Sequence, residues 1–401
     1  MNTIQNDSIA DLLMQLNWQT EKARHTDVYH AEGVNVWRDH FPRPFLDQLI
    51  GSAVGDRVQW HTRGAEVLAD QPPQPLVTIK RQQFNGNGGG AGKTRVGRFY
   101  PTGALSGMSG IFKANIEPFR LVGRKNGTLT VDLNHPLIDK ALSISATVGS
   151  VSPKARERGG TSEDWIGRLA TGPGLQARWQ DYPTDFFGDD AYQRSDETDD
   201  ALFYEKPRLV QHLDDAAIEV IRSIHARLLR EGDRVLDLMS SWQSHLPSGL
   251  RLQEAVGLGM NAKELAHNPQ LSLTVVQNLN RNPHLPFEDK RFHAVICTAS
   301  VEYLIRPLEI FREVARVLRR DGYFVVNFSN RWFPPKAIKI WSDLHDFERL
   351  GLVSEYFIQS EGFDRLHTYT MRGLPRPHAD KYYPQQRFSD PVFSVWGQKR
   401  S

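Results

Sequence analysis

Gly232 to Pro247 reads GDRVLDLMSSWQSHLP. Val235–Leu238 is a short apolar strand that carries one acid, Asp237, and runs into a turn of small polar residues, Ser240 and Ser241. In an α/β protein, the carboxyl end of a strand and the turn after it form the place where a nucleotide-like ligand sits. Glycines usually make such a turn, and here there are none.

Outward from this stretch, strands and helices alternate to the end of the chain. Pro207–Arg230 has Leu209, Leu213, Ala217, Val220, Ile221, Ile224 and Leu228 at helical spacing. After Val235–Leu238 come a short segment at Leu250–Ala255, a second strand at Val256–Leu258 and a helix at Ala262–Asn268. A third strand follows at Leu273–Val276, and a fully apolar fourth at Ala294–Thr298, as a buried parallel strand requires. Pro307–Leu318 is an amphipathic helix, Tyr323–Phe328 a fifth strand and Pro335–Leu350 a helix. Leu352–Ser360 and Pro391–Gln398 read as strands six and seven, with seven at the edge. This alternation predicts a doubly wound, mostly parallel sheet.

The first half reads differently. Ile9, Leu12, Leu13 and Leu16 recur at helical spacing and predict an amphipathic helix within a separate segment, 1–32, suited to a homodimer contact. From 33 to 152 the pattern is β-rich, and Phe119–Gly123 and Thr128–Asp132 flank an Asn126-Gly127 pair, a strong hairpin signal. NGNGGGAGKT at 85–94 is not a phosphate loop. Asn87 stands where the pattern needs glycine, and no helix follows. Residues 153–200, rich in Gly, Pro, Asp and Arg, read as a linker to a domain at 201–401.

Bulk properties narrow the function. A formal net charge of +2, with acids and bases interspersed, argues against a nucleic-acid partner. The single cysteine, Cys297, excludes an internal disulfide framework and fits a cytoplasmic protein; it sits in an apolar strand as core. No signal peptide or membrane span is expected.

LPFEDKRFHAVICTASVEYLIRPLEIFREVARVLRRDGYFVVNFSNRW, 285–332, resembles the class I S-adenosylmethionine-dependent methyltransferases of type 11. FYEKPRLVQHLDD at 203–215 with the SSWxSH turn resembles one subgroup, in which that turn replaces the glycines. The resemblance implies a Rossmann-like sheet over about 201–400 and S-adenosylmethionine as cofactor. It implies that Asp237 orients the ligand's ammonium and that Ser240, Ser241 and Trp242 line the methionine end. Gly257, Gly259, Met260 and Asn261 occupy the end of strand two, where a ribose-binding acid is usual; Gly259 stands in its place, leaving a weaker ribose contact to Asn261 or to backbone groups. Asn278 and Leu279 would meet the adenine, and Ser300 closes strand four beside the methyl. Tyr204, Arg208 and His212, at i, i+4 and i+8, would share one helix face, with Arg208 on the ligand carboxylate and Tyr204 at the acceptor.

His245, Glu302 and Tyr303 are the base candidates. His245 has a second reading as an anchor for the helix after the turn, and Glu302 as an ion-pair partner of Arg306. Upstream, PFLDQLIGSAVGDRVQW and PFRLVGRKNGTLTVDLNHPLIDKALSISATV resemble the SlyD branch of FKBP-type prolyl isomerases over 33–152. The expected function is methyl transfer to a small molecule, a small thiol or sulfide such as hydrogen sulfide or methanethiol, since a thiolate needs no base. Two alternatives stand beside it. One is a prolyl isomerase or chaperone-like protein with a degenerate methyltransferase domain. The other is a protein methyltransferase whose FKBP-like domain presents the acceptor. No metal cluster and no membrane partner is expected.

Overall fold

A computed structural model describes residues 3–68, 73–85, 94–154 and 160–400. Nearly all of the glycine-rich stretch at 85–94 lies outside the described residues. The chain divides into two compact units, residues 1–186 with 343–351, and residues 187–342 with 352–401.

In the first unit, Ser8–Gln19 is a strand, β1, and not the helix its leucines suggest. Ala10, Leu12, Met14, Leu16 and Trp18 are buried at period two, whereas Leu13 is exposed. A helix would leave Met14 and Trp18 off its apolar face. The strand pairing decides the matter, because β1 lies antiparallel between β2 (Ala23–Asn35) and β8 (Ala141–Pro153). Both flanks of β1 are therefore paired, and the separate helical segment at 1–32 gives way to the centre of a sheet. That sheet runs β2–β1–β8–β3, with β3 at Arg57–Arg63. Helix α1 (Arg43–Leu49) buries Phe45 and Leu49.

A second sheet runs β4–β7–β6–β5, from Val77–Lys80, Thr128–Asp132, Pro118–Lys125 and Phe99–Pro101. Its hairpin turns at Asn126 and Gly127, both at positive φ (47° and 76°), as the Asn-Gly signal requires. Ile79, Phe84, Phe119, Leu121, Leu129 and Val131 fill its core. Two short helices complete the unit, α2 (Gly64–Val67) and α3 (Trp165–Ala170), the latter capped by Asp164. The stretch read as a linker is thus partly built into this unit.

The second unit is a mixed α/β layer structure. Its strands are β9 (Arg234–Leu238), β10 (Glu254–Gly259), β11 (Leu273–Val276), β12 (Phe292–Thr298), β13 (Leu318–Phe328), β14 (Phe363–Arg372) and β15 (Val392–Lys399). They lie in the order β11–β10–β9–β12–β13–β15–β14, parallel except for β15, which is antiparallel to both neighbours. The order reverses between β9 and β12, the switch point where open sheets of this kind bind ligands.

Several expectations change here. Leu352–Ser360 is not a strand but the end of helix α9 (Asp346–Ser360), and Pro391–Gln398 falls in β15, second from the end. The long helix at 207–230 is only α5, Asp215–Leu228. It begins at Asp214, whose side chain accepts the Ala217 N–H at 2.9 Å. The Asp214 carboxylate is in turn bound by the Ser389 hydroxyl and the Asp390 N–H, both at 2.6 Å. With its cap fixed there, the chain from Pro207 to Leu213 is left outside any helix or strand. The remaining helices are α4 (Asp200–Phe203), α6 (Ala262–Ala266), α7 (Pro307–Val317) and α8 (Lys339–Asp343). Among the described residues, no helix is long and apolar enough to cross a membrane.

Leu12→Ala and Leu13→Ala distinguish strand from helix. Leu12 is buried and its truncation should cost about 2–5 kcal/mol, while exposed Leu13 should cost under about 1 kcal/mol. Urea midpoints at equal slope measure the difference, and similar losses at both positions would favour a helix.

Candidate functional site

Leaving β9, the chain makes a left-handed turn at Met239 (φ 58°) and reaches β10 without passing through a helix, among the described residues. The turn folds straight back onto its neighbour, since the Ser240 N–H donates to the Leu258 carbonyl at 2.8 Å. That placement dictates the residue at the end of β10. A Cβ on Gly259 would stand 2.1 Å from the Ser240 carbonyl oxygen, so no side chain fits. The glycine missing from the turn is therefore found on the strand beneath it. Behind the turn, Asn268 donates to the Ser241 carbonyl at 2.9 Å and to the Ser244 hydroxyl at 2.8 Å, while Gln270 and Leu246 exchange two hydrogen bonds.

A cavity opens over the carboxyl ends of β9 to β12 and encloses about 1280 Å³, its open mouth included. Of the residues singled out in the sequence, it brings together Asp237, Ser240, Ser241, Trp242, His245, Gly259, Met260, Asn261, Asn278, Leu279, Ser300, Tyr303, Tyr204 and Arg208. Two stay outside. Gly257 lies within β10, where a Cβ would meet Leu271 at 2.3 Å; it is a packing glycine. Glu302 is buried and does not line the cavity, and Arg306 pairs with Glu309 instead, at 2.6 Å. Tyr204, Arg208 and His212 all reach the wall, though on an irregular segment of turns and bends and not on a helix face.

Asp237 is the central charge. It is 5 % exposed, and the Ser240 hydroxyl donates to it at 2.5 Å. Burial pushes its carboxyl up to about 7, against the opposing pull of the Ser240 and Ser244 hydroxyls. Across the cavity, the irregular 204–213 segment is tied to the start of α6. Asn261 caps α6 by accepting from Lys263 and Glu264 N–H, and it donates to the Tyr204 carbonyl at 2.8 Å. Both ends of this amide are thus occupied structurally.

Glu264, absent from the sequence reading, is buried in the wall and accepts the Ser241 hydroxyl at 2.6 Å and the Arg208 N–H at 2.7 Å. The Arg208 guanidinium packs over Phe203 (4.4 Å), Phe333 (5.4 Å) and Tyr204 (5.7 Å), and its Nη1 has no hydrogen-bond partner. Arg194, Asp200 and Lys336 line the wall as well, with Asp200 taking Arg194 at 2.6 Å and fully buried Lys336 at 3.4 Å. None of these carried a signal in the sequence, because Arg194 and Asp200 sit in a low-complexity stretch and Lys336 follows a Pro-Pro pair.

The candidate bases are poorly matched to neutral pH. Burial pulls His245 down to about 4, helped by nearby His225 and Arg222, and pushes the hydroxyls of Tyr204 and Tyr303 well up. Among the described residues, no helix follows the turn for His245 to anchor; the residue is itself held, through its backbone carbonyl. Fully buried His225 places Nδ1 3.0 Å from the His245 carbonyl and Nε2 2.9 Å from the Asn327 amide nitrogen. Those partners fix the neutral tautomer, with Nδ1 donating and Nε2 accepting. Ser394 closes the chain on Asn327 Oδ1 at 2.8 Å, holding His245 at a left-handed φ of 51°.

Residues 255–326 match a family described as a methyltransferase domain. No curated protein matches the chain. Solved structures similar to it include the YcgJ protein of Bacillus subtilis (16% identity, 46% of this chain and 99% of that one, TM-score 0.34). A SAM-dependent methyltransferase of Aquifex aeolicus is similar at 14% identity, over 50% of this chain and 97% of that one, with a TM-score of 0.32. One from Mesorhizobium loti is similar at 16% identity, over 46% and 99%, with a TM-score of 0.31. At such scores these likenesses add nothing to the strand order seen directly.

Gly259→Ala should displace the Ser240 turn and lower stability by more than about 2 kcal/mol, read from the urea midpoint. Asp237→Asn should do the reverse above neutrality. A carboxyl whose folded pKa lies near 7 and unfolded pKa near 4 binds its proton more tightly when folded, so native stability falls as pH rises between the two. The variant should match the parent near pH 4 and exceed it at pH 8, by at most roughly 4 kcal/mol. Parallel pH profiles would mean that Asp237 is compensated in the fold.

Proposed function

We propose that the second unit is an S-adenosylmethionine-dependent methyltransferase acting on a small molecule. The observation that carries this reading is that the methyltransferase-domain match supplies most of one cavity wall, Leu258–Asn261, Gln277–Asn280, Thr298–Ser300 and Tyr303. When bound, the cofactor supplies a methyl group activated by a sulfonium.

The polar groups suit its parts. Asp237, a buried carboxylate without a cation, is the partner for the α-ammonium. Arg208, a guanidinium with an unpaired N–H, is the partner for the carboxylate. Glu264 takes the ribose hydroxyls that Gly259 has no side chain to meet; each of its oxygens accepts one hydrogen bond and has capacity for more. Leu279 and Asn278 face the adenine. Tyr204, Tyr303 and Phe333 form the acceptor wall, holding it dry and close to the methyl, which is most of what this displacement needs.

The acceptor in this reading is a small thiol or sulfide. With His245 near 4 and both tyrosines raised, these groups are poor matches for taking a proton from a hydroxyl or an ammonium ion at neutral pH, whereas a thiol supplies a few per cent (roughly) of strongly nucleophilic thiolate without a base. The degenerate-domain alternative draws on the missing acid at Gly259, and a ribose role for Glu264 would answer it. For the first unit we propose an FKBP-like fold. What supports it is the run of helix α1, strand β3, hairpin β6–β7, the Asn134–Leu137 turn and last strand β8.

Calorimetric titration with S-adenosylmethionine and its demethylated product tests the reading. Binding is expected below about 1 mM, and absence of heat there would sink the enzyme assignment. Glu264→Gln should weaken affinity by roughly ten- to hundredfold, and unchanged affinity would remove Glu264 from the ribose.

A further inference from the structure

His212 lines the cavity and has no place among the groups that would hold the cofactor. Its ring lies edge-on to Phe333 at 5.1 Å. Phe333 joins the rings of the acceptor wall, with Phe203 at 5.8 Å and Tyr303 at 6.2 Å. Neither ring nitrogen of His212 has a hydrogen-bond partner among the described residues.

The backbone on either side of this residue is fixed. Two residues before it, the Val210 carbonyl accepts the Trp242 indole N–H at 3.2 Å. Two residues after it, the Asp214 N–H donates to the Asp390 carboxylate at 3.1 Å, and buried Arg376 pairs with Asp214 at 3.3 Å. His212 itself is exposed, so a proton that the ring takes up can leave to solvent.

The other groups of the wall that could take a proton are committed elsewhere. The Tyr303 hydroxyl accepts the Phe333 N–H at 2.9 Å, and burial raises the Tyr204 hydroxyl. Asp200 is held by Arg194 at 2.6 Å, Asn280 at 3.0 Å and Lys336 at 3.4 Å. Asp237 and Glu264 accept the hydroxyls of Ser240 and Ser241 and serve the cofactor in the methyltransferase reading. His212 stands apart from these. Burial holds its imidazole below the ordinary histidine range; Glu264 opposes this, and the cations Arg208, Arg331 and Lys381 add to it. The ring is therefore neutral at pH 7 and able to accept a proton. So weak a base suits a thiol, ordinarily at about 8.5, better than an alkylammonium at about 10.4.

We propose that His212 is a catalytic residue, the general base that takes the proton from a small thiol seated against Phe333 and Tyr303. This rests on the methyltransferase reading and adds to it the proton acceptor that the other wall groups do not supply. The S–H bond breaks as an N–H bond forms on the imidazole. The freed electron pair on the acceptor sulfur forms the bond to the methyl carbon as the methyl–sulfonium bond breaks, and that pair stays on the departing sulfur. The products are a thioether and S-adenosylhomocysteine, and the imidazolium returns its proton to solvent.

The test uses the full-length protein and two thiols of one skeleton, ethanethiol, which is protonated at about pH 8, and 2,2,2-trifluoroethanethiol, which is largely ionised there. His212→Gln should lower kcat/KM about a hundredfold with ethanethiol and under about threefold with the ionised thiol, while calorimetric affinity for S-adenosylmethionine stays constant. With ethanethiol, the parent's kcat/KM should stay level between about pH 7 and 8, and the variant's should rise about tenfold as it follows the thiolate. His212→Ala should regain at least about tenfold in roughly 50 mM imidazole. A readout independent of turnover is the imidazole NMR signal that His212→Gln removes, which should titrate below about pH 6.5. Equal losses with both thiols would reduce His212 to a structural part. A parent rate that follows the thiolate overturns the proposal without any variant, and so does an imidazole midpoint above about 7.5. No turnover of either thiol by cofactor-binding protein would overturn it together with the thiol acceptor. Failure to bind S-adenosylmethionine would instead strike the methyltransferase reading itself.

Discussion

One hydrogen bond organises the second unit's working end, the Ser240 N–H on the Leu258 carbonyl at 2.8 Å. It draws the β9 turn across the end of β10, and the turn's own carbonyl then fills the space a side chain at 259 would need. The carboxylate on that side of the cavity is therefore supplied by Glu264, one turn into α6. Because no helix follows the turn among the described residues, no helix dipole faces the cavity there. Local charge is set by side chains: Asp237 with its serine hydroxyls, Glu264 and Arg208.

The same region carries backbone strain that its surroundings hold in place. Met239, His245 and Ala299 all have left-handed φ, each immediately beside or within a cavity-lining turn. For residues with a Cβ this conformation is disfavoured by roughly 1–2 kcal/mol. At His245, the buried line from Ser394 through Asn327 to His225 secures it, and burial keeps His225 neutral, near 4, so the line does not charge at physiological pH. The SSWxSH turn is thus held by tertiary hydrogen bonds where glycine would have made it locally easy.

Strand and helix types in the second unit were largely legible because buried parallel strands are short apolar runs, and β9 to β12 stand where such runs occur. The errors have one cause. In 352–360 and 207–214, apolar spacing fitted two structures, and distant partners chose between them: α9 continues through the first, and the capped Asp214 ends α5 before the second. Ser8–Gln19 is the same case in the first unit, where β2 and β8 decide for a strand.

By itself, the sequence determined the sheet class, the hairpin at Asn126-Gly127, and the position of the cavity at Asp237 and the serine turn. Each is a local property: apolar run length, a dipeptide's tolerance of positive φ, an acid at a strand end. Only the tertiary structure decided that Gly259 must be glycine, that Glu264, Arg194, Asp200 and Lys336 join the wall, and that Glu302 does not. Those assignments depend on which backbone atoms approach within a few ångströms across the fold, and neither spacing nor composition records such distances.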